Sequence, residues 1–340
     1  MQREQAIVVG AGPIGLACAI SAKRRGVNAL VVDSGAVCQS IVRYPIGMTF
    51  FTTPERLEIG DHPLVSSGAK ATREEALKYY RGVARTEGLR IETHTRLLGA
   101  ERQDDEIRCR IEQRNGERTI CCERLVLATG YFDHPKPVGV PGEDAPHVSH
   151  YFDEAHKSFG QDVVVIGGRN SACEAALDLF RAGARVTLIY RGTEFPKGVK
   201  YWLRPDIENR IKADEIRAHM GAEILRIEPN AVTFRDANGQ QGAVAADRVY
   251  ALTGFRPDFD LFRGMGIELD RETGVPTLDS ETLETNVPGI HMVGSTMTGW
   301  NTSDVFIENG RYDGEKVFGD SKSRENAKEL YRQAIRYYGE

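Results

Sequence analysis

The sequence lacks an excess of positive charge: 44 Lys and Arg stand against 49 Asp and Glu over 340 residues, a formal net charge of -5. With no basic field to hold a phosphate backbone, no nucleic-acid partner is expected. Long apolar runs are missing too. None approaches the roughly 20 residues of a membrane-spanning helix, and "MQREQAIVV" passes from a short polar start into a strand with no signal core. A soluble, cytoplasmic protein with no membrane partner is expected. Cysteine is scarce, six residues with no Cys-x-x-Cys pair among them. This is too few for a disulfide scaffold, and a reducing cytosol keeps them as thiols unless one is catalytic.

What is present is length, and glycine placed at turns. A chain of 340 residues exceeds a single core, so two domains, or one interrupted by another, are expected. The run "AIVVG" has the β-branched character of a strand buried on both faces, "GLACAISAKRRG" has helical periodicity ending at Gly26, and "NALVVD" reads as a second strand. From Gln161, "QDVVVIGGRNSACEAALDLFRAGARVTLIYR" repeats strand, Gly turn, helix, Gly and strand. Gly10 to Asp33 spans 23 positions, and Gly167 to Tyr190 spans 23. A second echo links "LVLATGYFDHP" (125–135) to "RVYALTGFRPDFD" (248–260).

The order of these pieces indicates an insertion. A first dinucleotide domain starts at the N-terminus, a second occupies about 133–247, and the first resumes near Arg248. Between Ile91 and Cys122, alternating segments with a tight-turn signal at Asn115-Gly116 read as a small antiparallel meander. The fold class is α/β: two dinucleotide-binding, Rossmann-like domains, one inserted in the other.

In the first turn Gly10 permits the tight bend, Gly12 lets backbone approach a pyrophosphate, and Gly15 allows helix to pack closely on strand. The helix N-terminus adds free amides, and Asp33 is placed to accept from ribose hydroxyls. The second turn, Gly167, Gly168, Arg169, Asn170, Ser171 and Ala172, is less regular: Arg169 stands at the middle glycine, and Ala172 is an allowed last residue. Either the nucleotide sits slightly off, held partly by the guanidinium, or binding is weak, or the domain binds nothing. After the second strand Tyr190 and Arg191 replace the acid, which removes a partner for a 2′-hydroxyl and supplies one for a 2′-phosphate. NADPH is therefore expected over NADH. Lys197 and Lys200 either add charge at the same phosphate or form a solvated basic loop.

Taken together these motifs resemble the thioredoxin-reductase-like flavoproteins. The segments "SIVRYPIGMTFFTTPERLEIGDHPL" (40–64), "GGRNSACEAALDLFRAGA" (167–184) and "FIENGRYDG" (306–314) resemble the YpdA family of bacillithiol disulfide or bacilliredoxin reductases over essentially the whole chain. The resemblance implies FAD, NADPH and a homodimer, with an FAD domain over 1–132 and 248–340 and an NADPH domain over 133–247. It further implies that Gly10, Gly12, Pro13, Ile14, Gly15 and Asp33 line the FAD pyrophosphate and ribose. Gln39 lies along the flavin, with Thr49, Phe50, Phe51 and Thr52 near the isoalloxazine unless the two phenylalanines are ordinary core. Ala128, Thr129 and Gly130 close over the adenine half. Relatives often carry Gly-Asp for the ribityl chain, where this sequence has Gly294-Ser295.

The redox thiol is the difficulty. Thioredoxin reductases proper have Cys-x-x-Cys before the second Gly turn, whereas "HVSHYFDEAHKSFGQD" has no cysteine. The cysteine implicated in the YpdA family falls in the first turn, where this chain has Ile14. Cys18 and Cys173 read as small core residues, Cys109 lies in the meander, and Cys121 and Cys122 point to opposite faces of a strand. Cys38, in a loop beside the cofactor turn, is the least implausible thiol, on the expectation that it is exposed. Tyr44, His150, Tyr151 and Glu308 are candidates for proton handling, each with a bland reading as loop, hinge or cap.

Four functions stay open. The leading one is an FAD-dependent NADPH oxidoreductase acting on a small-molecule or redox-protein disulfide. The second is a thiol-independent reductase of a ferredoxin- or flavodoxin-like carrier. A class B flavin monooxygenase is disfavoured, because neither His147 nor His150 has the required Phe-x-Gly ahead of it. A nucleotide-sensing protein without turnover is the fourth.

Overall fold

The computed structural model describes residues 2–336. The chain divides into two compact units, the first running from the N-terminus to Val42, over Gly47–His134 and from Phe255 onward, the second made of Arg43–Ile46 and Pro135–Gly254.

In the first unit β1 (Gln2–Val9) leads into α1 (Pro13–Arg24) and β2 (Ala29–Val32), followed by α2 (Gln39–Val42) and α3 (Arg73–Thr86). Thr72 and Glu75 cap α3 reciprocally in a capping box. Then come β3 (Arg90–Glu92), β4 (Arg96–Gln103), β5 (Glu106–Gln113) and β6 (Gly116–Leu127). The sheet order is β3-β2-β1-β6-β5-β4. Strands β3, β2, β1 and β6 are parallel, while β4, β5 and β6 form the expected antiparallel meander. Ala6, Ile7 and Val8 are fully buried, as a strand with both faces covered requires.

The second unit contains β7 (Val148–Ser149), β8 (Asp162–Ile166), α4 (Asn170–Arg181), β9 (Arg185–Tyr190), α5 (Arg204–Lys212), β10 (Arg217–Met220), β11 (Glu223–Glu228), β12 (Ala231–Arg235), β13 (Gln241–Ala245) and β14 (Arg248–Ala251). Its parallel sheet runs β10-β9-β8-β14-β7. Val163, Val165, Val186 and Leu188 pack with the apolar face of α4. Val164, Ile166, Ile189 and Val249 meet Ile224, Ile227, Val232 and Phe234 of the three-stranded β11-β12-β13 sheet. Arg248–Ala251, read from the sequence as the resumption of the first domain, pairs with β8 and completes the second unit's sheet. Hydrogen bonding along β8, which local pattern does not encode, moves that boundary.

The first unit then resumes with α6 (Phe259–Gly264) and β15 (Ile290–Met292), which lies parallel to the last residues of β6. It closes with a 3-10 turn at Gly294–Thr298 and with α7 (Ile307–Gly310), α8 (Asp313–Phe318) and α9 (Ser321–Arg336). The two-domain α/β architecture is as the sequence indicated. Among the described residues no helix is long and apolar enough to cross a membrane.

Candidate functional site

The first glycine turn joins β1 to α1 at the C-terminal edge of the parallel sheet, where α/β folds bind nucleotides. Gly10 donates its amide to the Val32 carbonyl at 2.7 Å and takes φ +110°. A Cβ on Gly15 would overlap the Gly10 carbonyl oxygen, so only glycine lets α1 start this close to β1. At Gly12 the opposite holds: no heavy atom lies within 4 Å of where its Cβ would stand. Gly12 is also the N-cap of α1 and supplies no side-chain acceptor, with Pro13 following at the first helical position. The free amides of the first turn thus face an open approach, which suits an anionic diphosphate.

Asp33 secures this loop. Its Oδ2 accepts from the Ala11 amide at 2.7 Å and its Oδ1 from the Gly35 amide at 2.8 Å. Each oxygen keeps a lone pair for a ribose hydroxyl. Burial pushes its carboxyl up, and the Gly35 and Ala11 amides oppose that shift. Gln39 accepts from the Ala36 amide at 3.0 Å and so is tied into the same loop.

Two further segments of the first unit reach the turn. Ala128 donates to the Val9 carbonyl at 2.8 Å, which places "ATG" beside β1. The Ser295 hydroxyl lies 3.8 Å from the Cβ position of Gly130, and the buried Thr129 hydroxyl has no hydrogen-bond partner among the described residues. Ile14 extends its Cδ1 to 2.8 Å from the Cβ position of Gly294 and 2.6 Å from that of Gly310. A glycine at each of those places makes room for it. Gly294 takes φ +67° and donates its amide to Asp313 Oδ2 at 2.8 Å. Asp313 is fully buried, its other oxygen has no hydrogen-bond partner among the described residues, and burial pushes its carboxyl up to about 6.

Thr52 donates to Glu308 Oε1 at 2.8 Å, both side chains being buried. Phe50 is buried, whereas Phe51 is partly exposed and meets Phe306 edge-on with ring centroids 6.1 Å apart. The residues expected around a flavin at 10–15, 33–39, 128–130 and 294–295 therefore meet around one turn. The open Gly12 position, the uncapped helix and the unpartnered Thr129 hydroxyl fit a dinucleotide.

None of the six cysteines is exposed. Cys38 was expected in an exposed setting but is 1 % exposed, because its amide bonds the Ala11 carbonyl at 3.0 Å and folds the loop inward. Burial pushes the Cys18 and Cys38 thiols up and Cys173 up to about 12, and a hydrogen bond with Cys122, together with burial, raises Cys109. These four stay protonated at neutral pH, and a thiol is a poor nucleophile. Cys18 and Cys173 are core residues, as their helix positions suggested.

The second turn in the other unit repeats the plan with altered parts. Gly167 donates to the Ile189 carbonyl at 3.0 Å and has φ +143°. Arg169 is the N-cap of α4 and makes no side-chain cap bond. Gly168 and Gly192 flank the Tyr190 ring, whose atoms lie 2.5 Å from the Cβ position of each, and the ring stacks on Phe195 at 9°. Arg169 and Arg191 are exposed. Asn170 bridges to the loop after β9, accepting from the Lys200 amide at 2.9 Å and donating to the Gly198 carbonyl at 3.1 Å. Lys200 pairs with Glu174 at 2.8 Å, so its charge is already matched, while Lys197 is exposed. Ser171 is exposed and Ala172 is buried against the turn.

His150 places Nδ1 3.1 Å from the Ala251 carbonyl and Nε2 3.3 Å from Glu143, so both ring nitrogens serve the loop. Tyr44 belongs to the segment Arg43–Ile46 of the second unit, and the Tyr151 hydroxyl accepts from Arg43 at 3.4 Å. Neither His150 nor Tyr44 shares the unit that carries the first turn. Asp313 was missed in the sequence, where it is one acid at a short helix start without a spacing signal.

The pattern of the family described as pyridine nucleotide-disulphide oxidoreductase matches residues 7–294. The bacilliredoxin reductase Bdr of Bacillus subtilis is 40% identical over 326 residues, which cover 96% of this chain and 100% of that protein. The solved structure of the bacillithiol disulfide reductase Bdr (YpdA) from Bacillus cereus superposes with a TM-score of 0.91 at 37% identity, covering 96% of this chain and 100% of that one. A ferredoxin–NADP reductase of Ignicoccus hospitalis is 26% identical over 298 residues, 85% of this chain and 88% of that protein. The chain belongs to the pyridine nucleotide-disulphide oxidoreductase family and, within it, to the YpdA family, and it is a flavin- and nicotinamide-dependent oxidoreductase.

Two predictions follow from this geometry. Gly12→Ala should fold normally and lose bound flavin, whereas Gly15→Ala should fail to fold or melt far lower; absorbance of retained flavin and thermal unfolding read the two apart. The carboxyl of Asp313 is raised in the folded protein, so its contribution to stability is present at low pH and lost as pH rises through about 6. Relative to Asp313→Asn, the wild type should lose about 2 kcal/mol between pH 4 and pH 8, measured by denaturant unfolding.

Proposed function

We propose that this member of the YpdA family is an FAD-dependent NADPH oxidoreductase that reduces a disulfide of the bacillithiol system, with no thiol of its own between flavin and acceptor. The observation that carries the reading is the pair of glycine turns, one open and uncapped at Gly12, the other followed by Arg191 instead of an acid. Similarity to proteins named bacilliredoxin reductase and bacillithiol disulfide reductase supports the acceptor class. Family resemblance also supports a homodimer.

Bound together, the two cofactors supply a two-electron hydride transfer from nicotinamide to flavin. The overall reaction, NADPH, one proton and a disulfide giving NADP+ and two thiols, then needs only one proton from the protein or solvent. The amides of the α1 N-terminus and Gly12 receive the FAD diphosphate, Asp33 its ribose, and Arg191 the NADPH 2′-phosphate. Ile14, wedged against Gly294 and Gly310, fills the place of a thiol and excludes water.

A second reading is favoured by the same side chain and by the burial of all six cysteines: a reductase of a one-electron protein carrier, which needs no thiol. The protein should be reduced by NADPH under anaerobic conditions and mixed in parallel with bacillithiol disulfide, a bacilliredoxin mixed disulfide, ferredoxin and oxygen. Rapid reoxidation by either disulfide is expected, and reoxidation by ferredoxin alone overturns the disulfide reading. The kcat/KM for NADPH should exceed that for NADH at least about tenfold, as loss of one charge-assisted phosphate contact implies, and Arg191→Gln should erase the difference. Ile14→Cys should alter thiol-disulfide activity far more than the stopped-flow rate of flavin reduction.

A further inference from the structure

The second turn presents a problem that the first does not. In the first, an open Gly12 lets backbone come up to a diphosphate. In the second, the corresponding position is Arg169, and the Tyr190 ring lies against the glycine before it. The close backbone approach is lost, and some other group must hold the phosphates.

Lys136 lies where such a group is needed. Its amide donates to the Gly254 carbonyl at 2.8 Å, its carbonyl accepts from the Thr253 hydroxyl, and its Cδ lies 4.0 Å from the Cβ position of Gly254. Thr253 and Gly254 directly follow Leu252, whose carbonyl oxygen stands 2.5 Å from the Cβ position of Gly167 and whose amide bonds Ile166 at 2.8 Å. The backbone of Lys136 is thus fixed beside the glycine turn, independently of its side chain. The other two cations come from the N-cap of α4 and from the residue after β9. Burial, followed by the charges of Arg169 and Arg191, pushes the Lys136 ammonium down. Lys136 thus feels both arginines, and an anion among the three relieves that repulsion.

We propose that Lys136 is a phosphate-binding residue of the nicotinamide nucleotide site, acting with Arg169 on the diphosphate while Arg191 holds the 2′-phosphate. The assignment rests on the NADPH reading above. Cations replace the backbone approach that the fingerprint normally provides, which is how a turn with arginine at its middle position keeps its ligand.

Calorimetric titration of the FAD-loaded full chain with NADP+, ADP-ribose and adenosine 2′-monophosphate separates the two phosphate positions. Lys136→Gln should weaken NADP+ and ADP-ribose about tenfold and leave adenosine 2′-monophosphate unchanged, Lys136→Arg should restore the binding, and Arg191→Gln should weaken NADP+ and adenosine 2′-monophosphate and leave ADP-ribose unchanged. In steady state Lys136→Gln should raise KM for NADPH and leave kcat within about twofold. Unchanged affinity for all three ligands in Lys136→Gln overturns the assignment, as does an equal loss for adenosine 2′-monophosphate, which would place the lysine at the 2′-phosphate. If the wild type binds none of the three, the NADPH reading itself fails and this assignment with it.

Discussion

Both units are built on a carbonyl oxygen that occupies the place of a missing side chain. In the first, the Ala128 carbonyl crowds the Cβ position of Gly10; in the second, the Leu252 carbonyl stands 2.5 Å from that of Gly167. The partner hydrogen bonds match as well, Ala128 to Val9 and Leu252 to Ile166, both at 2.8 Å. The same contact therefore explains why "LVLATG" and "RVYALTG" echo each other in the sequence. Each delivers a strand end against a glycine that turns from strand to helix. A Cβ at either glycine would force the two strands apart.

From that shared frame the two sites diverge through a few side chains. The first keeps an acid at the end of its second strand, and Asp33 both braces the loop through Ala11 and Gly35 and retains lone pairs for a ligand. The second has Tyr190, whose ring fills the space beside Gly168 and Gly192 and stacks on Phe195. Packing has taken over a position that hydrogen bonding serves in the first unit. Arg191 follows it, and charge has moved from one acid to a set of cations.

The chemistry available to the protein is limited chiefly by burial. A cysteine nucleophile requires a thiolate, and desolvation disfavours that charge at Cys18, Cys38 and Cys173. Ile14, at the turn where a helix N-terminus would favour a thiolate, is held between Gly294 and Gly310. Below it Asp313 carries a buried carboxyl that anchors Gly294. The absence of Gly-Asp at Gly294-Ser295 is thus accompanied by an acid that approaches the same glycine from another helix.

The duplicated α/β plan, the tight turn at Gly10 and the close packing at Gly15, the meander, and the exchange of an acid for Tyr190-Arg191 were all legible in the sequence. Each depends on local spacing: a strand period, a helix period, or a residue at a fixed distance from a turn. What the sequence did not reveal depends on contacts between distant positions. Cys38 looks exposed until its amide is seen bonded to Ala11, and Lys200 looks like a free cation until Glu174 meets it. Strand β14 belongs to the second unit because it pairs with β8. Asp313 and Lys136 carry no motif, and only the fold sets them beside Gly294 and Gly254. Chain-local geometry fixed the nucleotide-binding plan, while burial and long-range pairing decided which thiols could ionise and which charges remained for a ligand.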